Sequence, residues 1–361
     1  MRIGNKLVGD GEAVYIVAEI GVNHCGDLGM ARRLIDAARQ AGADAVKFQI
    51  FSADGLATSD APTCAYQQGP GVSAANQQEL LRSLELRPDD FARLKAHADE
   101  RGIDFLATPF GINELCFLTT LGPPAIKIAS PDVVNEPLLE AAAGTALPII
   151  LSTGASTQSE LDQTVELLHR LGAAKRTMLL HCVSAYPTEP SRAGLARIAS
   201  LRRRYALPVG FSDHSGCARL GAWAVAAGAV ILEAHVTLDR GVPGPDHFFS
   251  LEPMQFAEYV AGAREAHSAL GSGRIDFGEE EAEVRKLARG SIVASADIQA
   301  GEALRAEALT VRRPGGGIAP NQWSSVVGLV SRTYIPANTR LTWTMLEGEA
   351  AGARPPITSA C

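Results

Sequence analysis

LPVGFSDHSGCARLGAWAVAAGAVILEAHV, residues 207–236, decides the fold. An apolar run ends in Ser212, Asp213 and His214. A small-residue helical segment follows, breaks at Gly228, and gives way to a second apolar run ending in Glu233 and His235. The apolar centre, GAWAVAAGAVIL (221–232), is too short to cross a bilayer. Its internal glycine reads as a helix end ahead of a strand. Strand, helix and strand in so few residues predict a parallel β-α-β unit.

Moving outward, the same pattern recurs from the N-terminus to about residue 270. The further apolar runs are VYIVAEIG (14–21), ADAVKFQI (43–50), IDFLATPF (103–110), AIKIAS (125–130), LPIILSTG (147–154) and TMLLHCV (177–183). Between them lie amphipathic stretches such as LGMARRLIDAARQAG, PDDFARLKAHADERG and TQSELDQTVELLHRLG, several ending in glycine. Eight such units predict a (β/α)8 TIM barrel, because continuous apolar strands suit a parallel sheet covered on both faces. A doubly wound open sheet is the alternative, but no glycine-rich dinucleotide fingerprint follows the first strand.

The connection after the second run, FSADGLATSDAPTCAYQQGPGVSAANQQ, is long and has little periodicity. It reads either as a functional loop above the site or as a mobile surface insertion. The barrel is expected over 1–275, a linker over 276–285, a small β-rich, clip-like domain over 286–348, and a disordered tail over 349–361. Within the small domain DIQAGEALRAEALT (297–310) aligns without gaps to YIPANTRLTWTMLE (334–347), which suggests two related arms.

Composition narrows the function classes. The 361 residues are 46% apolar and 20% charged, with a net charge of -7, as in a globular protein with a sizeable core. No segment is strongly basic, so nucleic acid is not an expected partner. Six scattered cysteines without a CxxC pair argue for free thiols in a reducing compartment. The N-terminus has no signal-peptide pattern and no run suits a membrane span, so the cytoplasm is the expected location.

In a TIM barrel, polar side chains at the C-terminal ends of strands are the catalytic candidates. Here they are Glu19, Lys47, Gln49, Thr108, Lys127, Ser130, Ser152, His181, Ser212, Asp213, His214, Glu233 and His235. Lys47 and Lys127 stand in otherwise apolar strands. Two lysines at one barrel mouth suit a phosphate or carboxylate between them. Schiff-base chemistry and an ion pair to Glu19 or Glu233 are the other readings. The serine and threonine hydroxyls either ring such an anion or cap the following helices. His214 and His235 end neighbouring strands. Paired imidazoles with open positions suit a catalytic manganese, iron, cobalt or zinc ion. His181 and His24 are weaker candidates. Asp246, in VPGPDH, is either an acceptor for sugar hydroxyls or an ordinary turn aspartate.

The runs VAEIGVNHCGD, AVKFQ, ATPF, IKIAS, ILSTGAS, HCVSAYPT, GFSDHS, EAHVTLDRGVPGPDH and FSLEP resemble the barrel of the sialic acid synthase family. GEALRAEALTVRRPGGGI resembles that family's antifreeze-like (SAF) domain. The resemblance covers roughly residues 3–347. It implies condensation of phosphoenolpyruvate with N-acetylmannosamine, or a related 2,4-diacetamido hexose, to a nine-carbon 2-keto acid and phosphate. It also implies a divalent metal, usually manganese, and a homodimer in which the small domain of one subunit reaches over the other's barrel. Residue by residue, it assigns Lys47, Thr108, Lys127, Ser130, Ser152 and Ser212 to phosphoenolpyruvate, and His214 and His235 to the metal. Glu19, Gln49, Tyr186 and Asp246 fall near the sugar or the reacting carbons, and Arg313 is the arginine delivered from the partner subunit to the acyl group.

Some positions depart from the family pattern. Asp132 stands where the catalytic-site glutamate is usual, Ser184 replaces an asparagine used against phosphoenolpyruvate, and Ala234 replaces an arginine. A phosphorylated aldose acceptor, such as arabinose 5-phosphate or erythrose 4-phosphate, is the second functional reading. A non-catalytic sugar-binding protein on the same fold is the third.

Overall fold

The computed structural model describes residues 1–67 and 74–348. The expected tail therefore lies outside the described residues, as does part of the long connection after the second strand. The described chain divides into two compact units that meet between Ser272 and Gly273.

The first unit is a closed parallel barrel of eight strands. They are β1 (Tyr15–Gly21), β2 (Ala45–Ile50), β3 (Asp104–Pro109), β4 (Ile126–Ile128), β5 (Ile149–Ser152), β6 (Thr177–Cys182), β7 (Val209–Asp213) and β8 (Ile231–His235). A helix follows each strand: α1 (Leu28–Gln40), α2 (Pro88–Arg101), α3 (Ile112–Thr120), α4 (Glu136–Gly144), α5 (Gln158–Arg170), α6 (Ala196–Tyr205), α7 (Leu220–Ala226) and α8 (Pro253–Leu270). The barrel closes where β8 pairs with β1, with Glu233 opposite Val17 and His235 opposite Glu19.

Local chemistry sets the helix ends. Asp27 and Asn135 cap α1 and α4 through their side chains, and Thr157 with Glu160 forms a capping box on α5. Proline opens α2 and α8, where its missing N–H is harmless, and Gly102 ends α2 in the left-handed region. The apolar helix faces cover the outer side of the barrel. Leu34, Ile35, Leu94, Leu139, Leu168, Phe256 and Tyr259 belong to that buried layer, together with strand residues such as Ile16, Phe48, Phe105 and Phe211.

Because side chains alternate along a strand, the other parity fills the barrel interior. Tyr15, Val17, Ala45, Leu106, Ile150, Met178, Leu180 and Ile231 form that second apolar cluster. An N-terminal hairpin, Arg2–Ile3 with Lys6–Leu7, adds buried Ile3 and Val8 to it. At the same end the Asp44 carboxylate accepts from the Ile16 N–H at 2.7 Å and pairs with Lys6 and Arg264, while Tyr15 donates to Asp104 at 2.8 Å. The N-terminal end is thereby plugged, and the polar groups gather at the other end.

In the second unit, the stretch expected as a linker carries a helix, Glu279–Ala288. Beyond it, Ser291–Ala294 pairs antiparallel with Leu309–Arg312, and Val330–Ser331 with Leu346–Glu347. The two similar segments fold alike. Ile298, Leu304 and Leu309 are buried in the first arm, and Ile335, Leu341 and Leu346 occupy the same places in the second. Ile298 and Ile335 exchange both backbone hydrogen bonds, each at 2.9 Å. Each arm thus supplies half of one small core. Among the described residues no helix is long and apolar enough to cross a membrane, and Cys25, Cys64, Cys116, Cys182 and Cys217 are free thiols.

Gly210 shows how tightly the barrel centre is filled. A Cβ there would collide with the Ile231 side chain and carbonyl and with Leu180. Gly210→Ala should therefore lower the unfolding free energy by about 1–3 kcal/mol through overpacking, read from the urea midpoint at unchanged m-value. An unchanged midpoint would mean that the strands can part there without loss.

Candidate functional site

A cavity of about 380 Å³ opens at the C-terminal ends of the strands. The inward parity that stacks apolar residues lower in the barrel delivers Glu19, Lys47, Gln49, Thr108, Lys127, Ser152, Cys182, Ser212, Glu233 and His235 to its floor. The loops that follow add Ser130, Asp132, Tyr186, His214 and Asp246. Of the thirteen residues to which the family resemblance gives a role, together with Asp132 and Ser184, all but Ser184 and Arg313 line this one pocket. Ser184 is exposed, and a Cβ on Gly154 would collide with its hydroxyl as well as with Ser130 and Cys182, so the three groups surround that glycine. Arg313 is an exposed residue of the second unit.

The floor is a buried charge network. Lys47 Nζ lies 2.9 Å from Glu19 Oε2 and 3.6 Å from Glu233 Oε2, and donates to Thr108 Oγ1 at 3.1 Å. Lys127 Nζ lies 3.8 Å from Glu233 Oε1, which also accepts from Ser212 Oγ at 2.9 Å. The ion-pair reading of the strand lysines therefore holds. Burial opposes every charge here, but the neighbours decide the outcome. Lys127 and Lys47 outweigh burial and hold the Glu233 carboxyl below the usual range. Burial and the nearby Glu233 raise Glu19 despite Lys47. Burial lowers Lys127, whereas Glu19 and Glu233 outweigh it at Lys47 and raise that ammonium. Gln49 donates to Glu19 Oε1 at 3.0 Å and orients it.

His214 and His235 face each other across the pocket rim, with ring centroids 5.5 Å apart. Burial lowers both, to about 4 and about 3, so both imidazoles are neutral and able to bind a metal. His214 donates from Nδ1 to the Val183 carbonyl at 2.8 Å, which leaves Nε2 with its lone pair. His235 Nδ1 is buried without a hydrogen bond, 3.6 Å from Asp246 Oδ2. Among the described residues no third protein donor joins them in a ligand cluster. Two neutral imidazoles, one with an orphaned nitrogen, fit an open metal site rather than a closed structural one. Phe249 meets the His235 ring edge-on and the Tyr186 ring at a tilt, with centroids 4.9 and 5.4 Å apart.

Strand parity also sorts the weaker candidates. His181 points outward, with Nε2 2.7 Å from the Ala193 carbonyl, while the next residue, Cys182, points inward with Sγ 3.1 Å from Ser130 Oγ. Asp213 likewise leaves the pocket and accepts from the Ser215 N–H at 2.8 Å. His24 packs against Phe48 and accepts from the Gly26 N–H. Burial raises Asp246 to about 7 and also raises Asp132, which accepts from Asn135 Nδ2 at 2.9 Å. The long connection after β2 supplies a wall that the sequence reading did not resolve into residues. Tyr66 stacks on Tyr186 at 4.6 Å, and Leu80, Leu81 and Leu84 come from a helix, Gln77–Leu84.

The model of the NeuB family matches residues 34–275, and that of the SAF domain residues 289–347. The chain is 37% identical over 347 residues to the N,N'-diacetyllegionaminic acid synthase of Legionella pneumophila, covering 95% of this chain and 98% of that one. It is 34% identical over 328 residues to a pseudaminic acid synthase of Campylobacter jejuni, covering 91% of this chain and 94% of that one. The crystal structure of the N-acetylneuraminic acid (sialic acid) synthetase of Leptospira borgpetersenii, in complex with citrate, matches with a TM-score of 0.70 at 36% identity, over 79% of this chain and 94% of that one. With eight strands closed around a lysine-and-histidine pocket and a SAF domain later in the sequence, this chain belongs to the NeuB family.

Proposed function

We propose that this chain is a transferase that condenses phosphoenolpyruvate with an N-acylated amino-sugar aldehyde, giving a nonulosonic acid and inorganic phosphate. The observation that carries the reading is the single pocket in which two buried lysines, ringed by hydroxyls, face a pair of neutral histidines. The synthase names of the relatives agree with it.

Lys47 and Lys127 hold the phosphate and carboxylate of phosphoenolpyruvate, with Thr108, Ser130, Ser152 and Ser212 supplying hydroxyl donors and Ser184 standing at the edge of the same cradle. His214 and His235 would hold a divalent metal, for which manganese is our choice because the family resemblance implies it. Such an ion acts as a Lewis acid on the aldehyde oxygen. Gln49, Tyr186 and Asp246 orient the open-chain sugar, so that its aldehyde carbon meets carbon 3 of phosphoenolpyruvate. That bond forms from the enol π pair and leaves positive charge at carbon 2. Water adds there, and Glu19 takes one of its protons and passes it to the alkoxide formed from the aldehyde oxygen; the carbon 2–oxygen bond to phosphate then breaks, phosphate leaves with the pair and takes up the proton of the carbon-2 hydroxyl, and the 2-keto acid remains. Asp132, close to the lysine-bound end of the pocket, assists phosphate departure. In the same proposal the protein is a homodimer, and Arg313 of one subunit reaches the acyl group of the sugar in the other's barrel.

Three outcomes test the reading. Phosphate release should require both an N-acylated aldose and a divalent ion, and a chelator should abolish it until manganese is restored. His214→Ala and His235→Ala should each lose bound manganese by calorimetry while keeping the thermal midpoint within a few degrees. Full metal content in both variants would move the site elsewhere. Glu19→Gln should lower kcat by at least 10²-fold, the scale of a lost general base, with metal content intact; an unchanged kcat would remove Glu19 from the chemistry.

A further inference from the structure

The two histidines assigned above to a metal stand where the strand ladder stops supporting them. Strands β7 and β8 pair Leu232 with Phe211, Glu233 with Ser212 and Ala234 with Asp213. The ladder ends there, so His214 and His235 each lie one residue beyond its last pair. Among the described residues no third protein ligand joins the two imidazoles. The gap between the rings therefore depends on how the loops that continue from them, 214–219 and 236–252, are held together. Metal ligands are commonly oriented by outer groups of this kind.

Arg240 makes the link. Its Nη2 donates to the Gly216 carbonyl at 3.1 Å, two residues after His214, and its Nε donates to the Ser250 carbonyl at 2.6 Å. Among the described residues, the bond to Gly216 is the only hydrogen bond between the two loops. Ser250 stands between the two residues that meet His235. Phe249 packs its ring edge-on against the imidazole at 4.9 Å, and Leu251 donates its N–H to the His235 carbonyl at 2.8 Å. One planar fork thus joins the His214 loop to the backbone around His235. The brace is itself held: Glu252 Oε1 accepts from the Arg240 N–H at 3.1 Å, and Asn23 Nδ2 donates to Ser250 Oγ at 2.8 Å.

Gly216 is shaped for this contact. Its φ is +62°, and a Cβ there would lie 2.6 Å from the Phe249 carbonyl oxygen and 3.1 Å from Arg240 Nη2. A side chain at 216 would push the loops apart. The guanidinium gives its donors to backbone carbonyls at fixed angles, which a lysine ammonium on its flexible stem does not reproduce.

We propose that Arg240, which does not line the pocket, is the positioning residue of the metal site, bracing the loops so that His214 and His235 present their nitrogens to one ion. The inference rests on the metal reading of the two histidines and deepens it. In this role Arg240 touches neither the ion nor a substrate. It acts on metal affinity and leaves the cradle built on Lys47 and Lys127 as it is.

The test titrates the full chain by calorimetry, first with manganese alone and then with phosphoenolpyruvate at saturating manganese. Arg240→Ala and Arg240→Met should each weaken manganese binding by about 10- to 100-fold, the scale of a lost outer partner of a ligand. Both should keep the affinity for phosphoenolpyruvate. Arg240→Met retains the apolar stem and its packing, which guards against a folding defect. Arg240→Lys should fall between these variants and the unchanged protein. Unchanged manganese affinity in either folded variant overturns the inference. So does an equal loss of phosphoenolpyruvate binding, because a general loosening of the barrel mouth would strike both ligands. An unsubstituted protein that binds no manganese overturns the metal reading itself.

Discussion

The ion network of Glu19, Lys47, Glu233 and Lys127 is the constraint on which the rest of the site depends. All four side chains are buried, at 1%, 4%, 4% and 3% exposure. Bare charges at that depth are prohibitive, and even paired ones regain their lost hydration only if the geometry is good. The barrel supplies that geometry by closing. Glu19 and Lys47 sit opposite each other on paired strands β1 and β2, whereas Glu233 comes from β8 and reaches Lys47 only because β8 pairs with β1. An open sheet of the same strands would leave Glu233 and His235 at an edge, far from Lys47. The sheet's closure and the site's charge balance are therefore one structural fact.

The layers beneath keep the network strong. Val17, Leu106, Ile150 and Leu180 fill the barrel under the charges, and the N-terminal hairpin seals the far end. Water then reaches the site from one side only, so each hydroxyl and carboxylate acts in a medium of low polarity, where its field is weakly screened. Gly210 and Gly154 serve the same end by absence, letting Ile231 and the Ser130–Cys182–Ser184 group close in where a side chain would hold them apart.

Much of this was legible in the sequence, for identifiable reasons. Apolar runs spaced by amphipathic helices carry the barrel, because period and length separate strand from helix. Polar residues at run ends carry the floor, because only one barrel end can afford them. The repeat in the small domain was legible too, since Ile298 and Ile335, Leu304 and Leu341, and Leu309 and Leu346 are matched in burial as in sequence. What failed was finer. His181 and Asp213 stand beside inward residues but have the wrong parity, and parity depends on where each strand begins, which a continuous apolar run conceals. Cys182 was passed over for the same reason. Tyr66 and the leucines of Gln77–Leu84 lie in a connection without strong periodicity, and their place over the pocket is a tertiary outcome that no local pattern encodes.

On the proposed roles, the network also lets one carboxylate serve as ion partner and base in turn. Lys47 neutralises Glu19 at 2.9 Å while burial and Glu233 push that carboxyl toward holding a proton. On the proposed roles, phosphoenolpyruvate brings an anion that competes for Lys47. Each part of the ammonium's attraction it takes is lost to Glu19, so the proton affinity of Glu19 rises as the substrate seats. Glu233 starts from lower proton affinity, because both lysines and the Ser212 hydroxyl meet it whereas Glu19 meets one lysine. Two acids in one pocket are thus driven apart in proton affinity by their partners alone, as acid–base division between like residues requires.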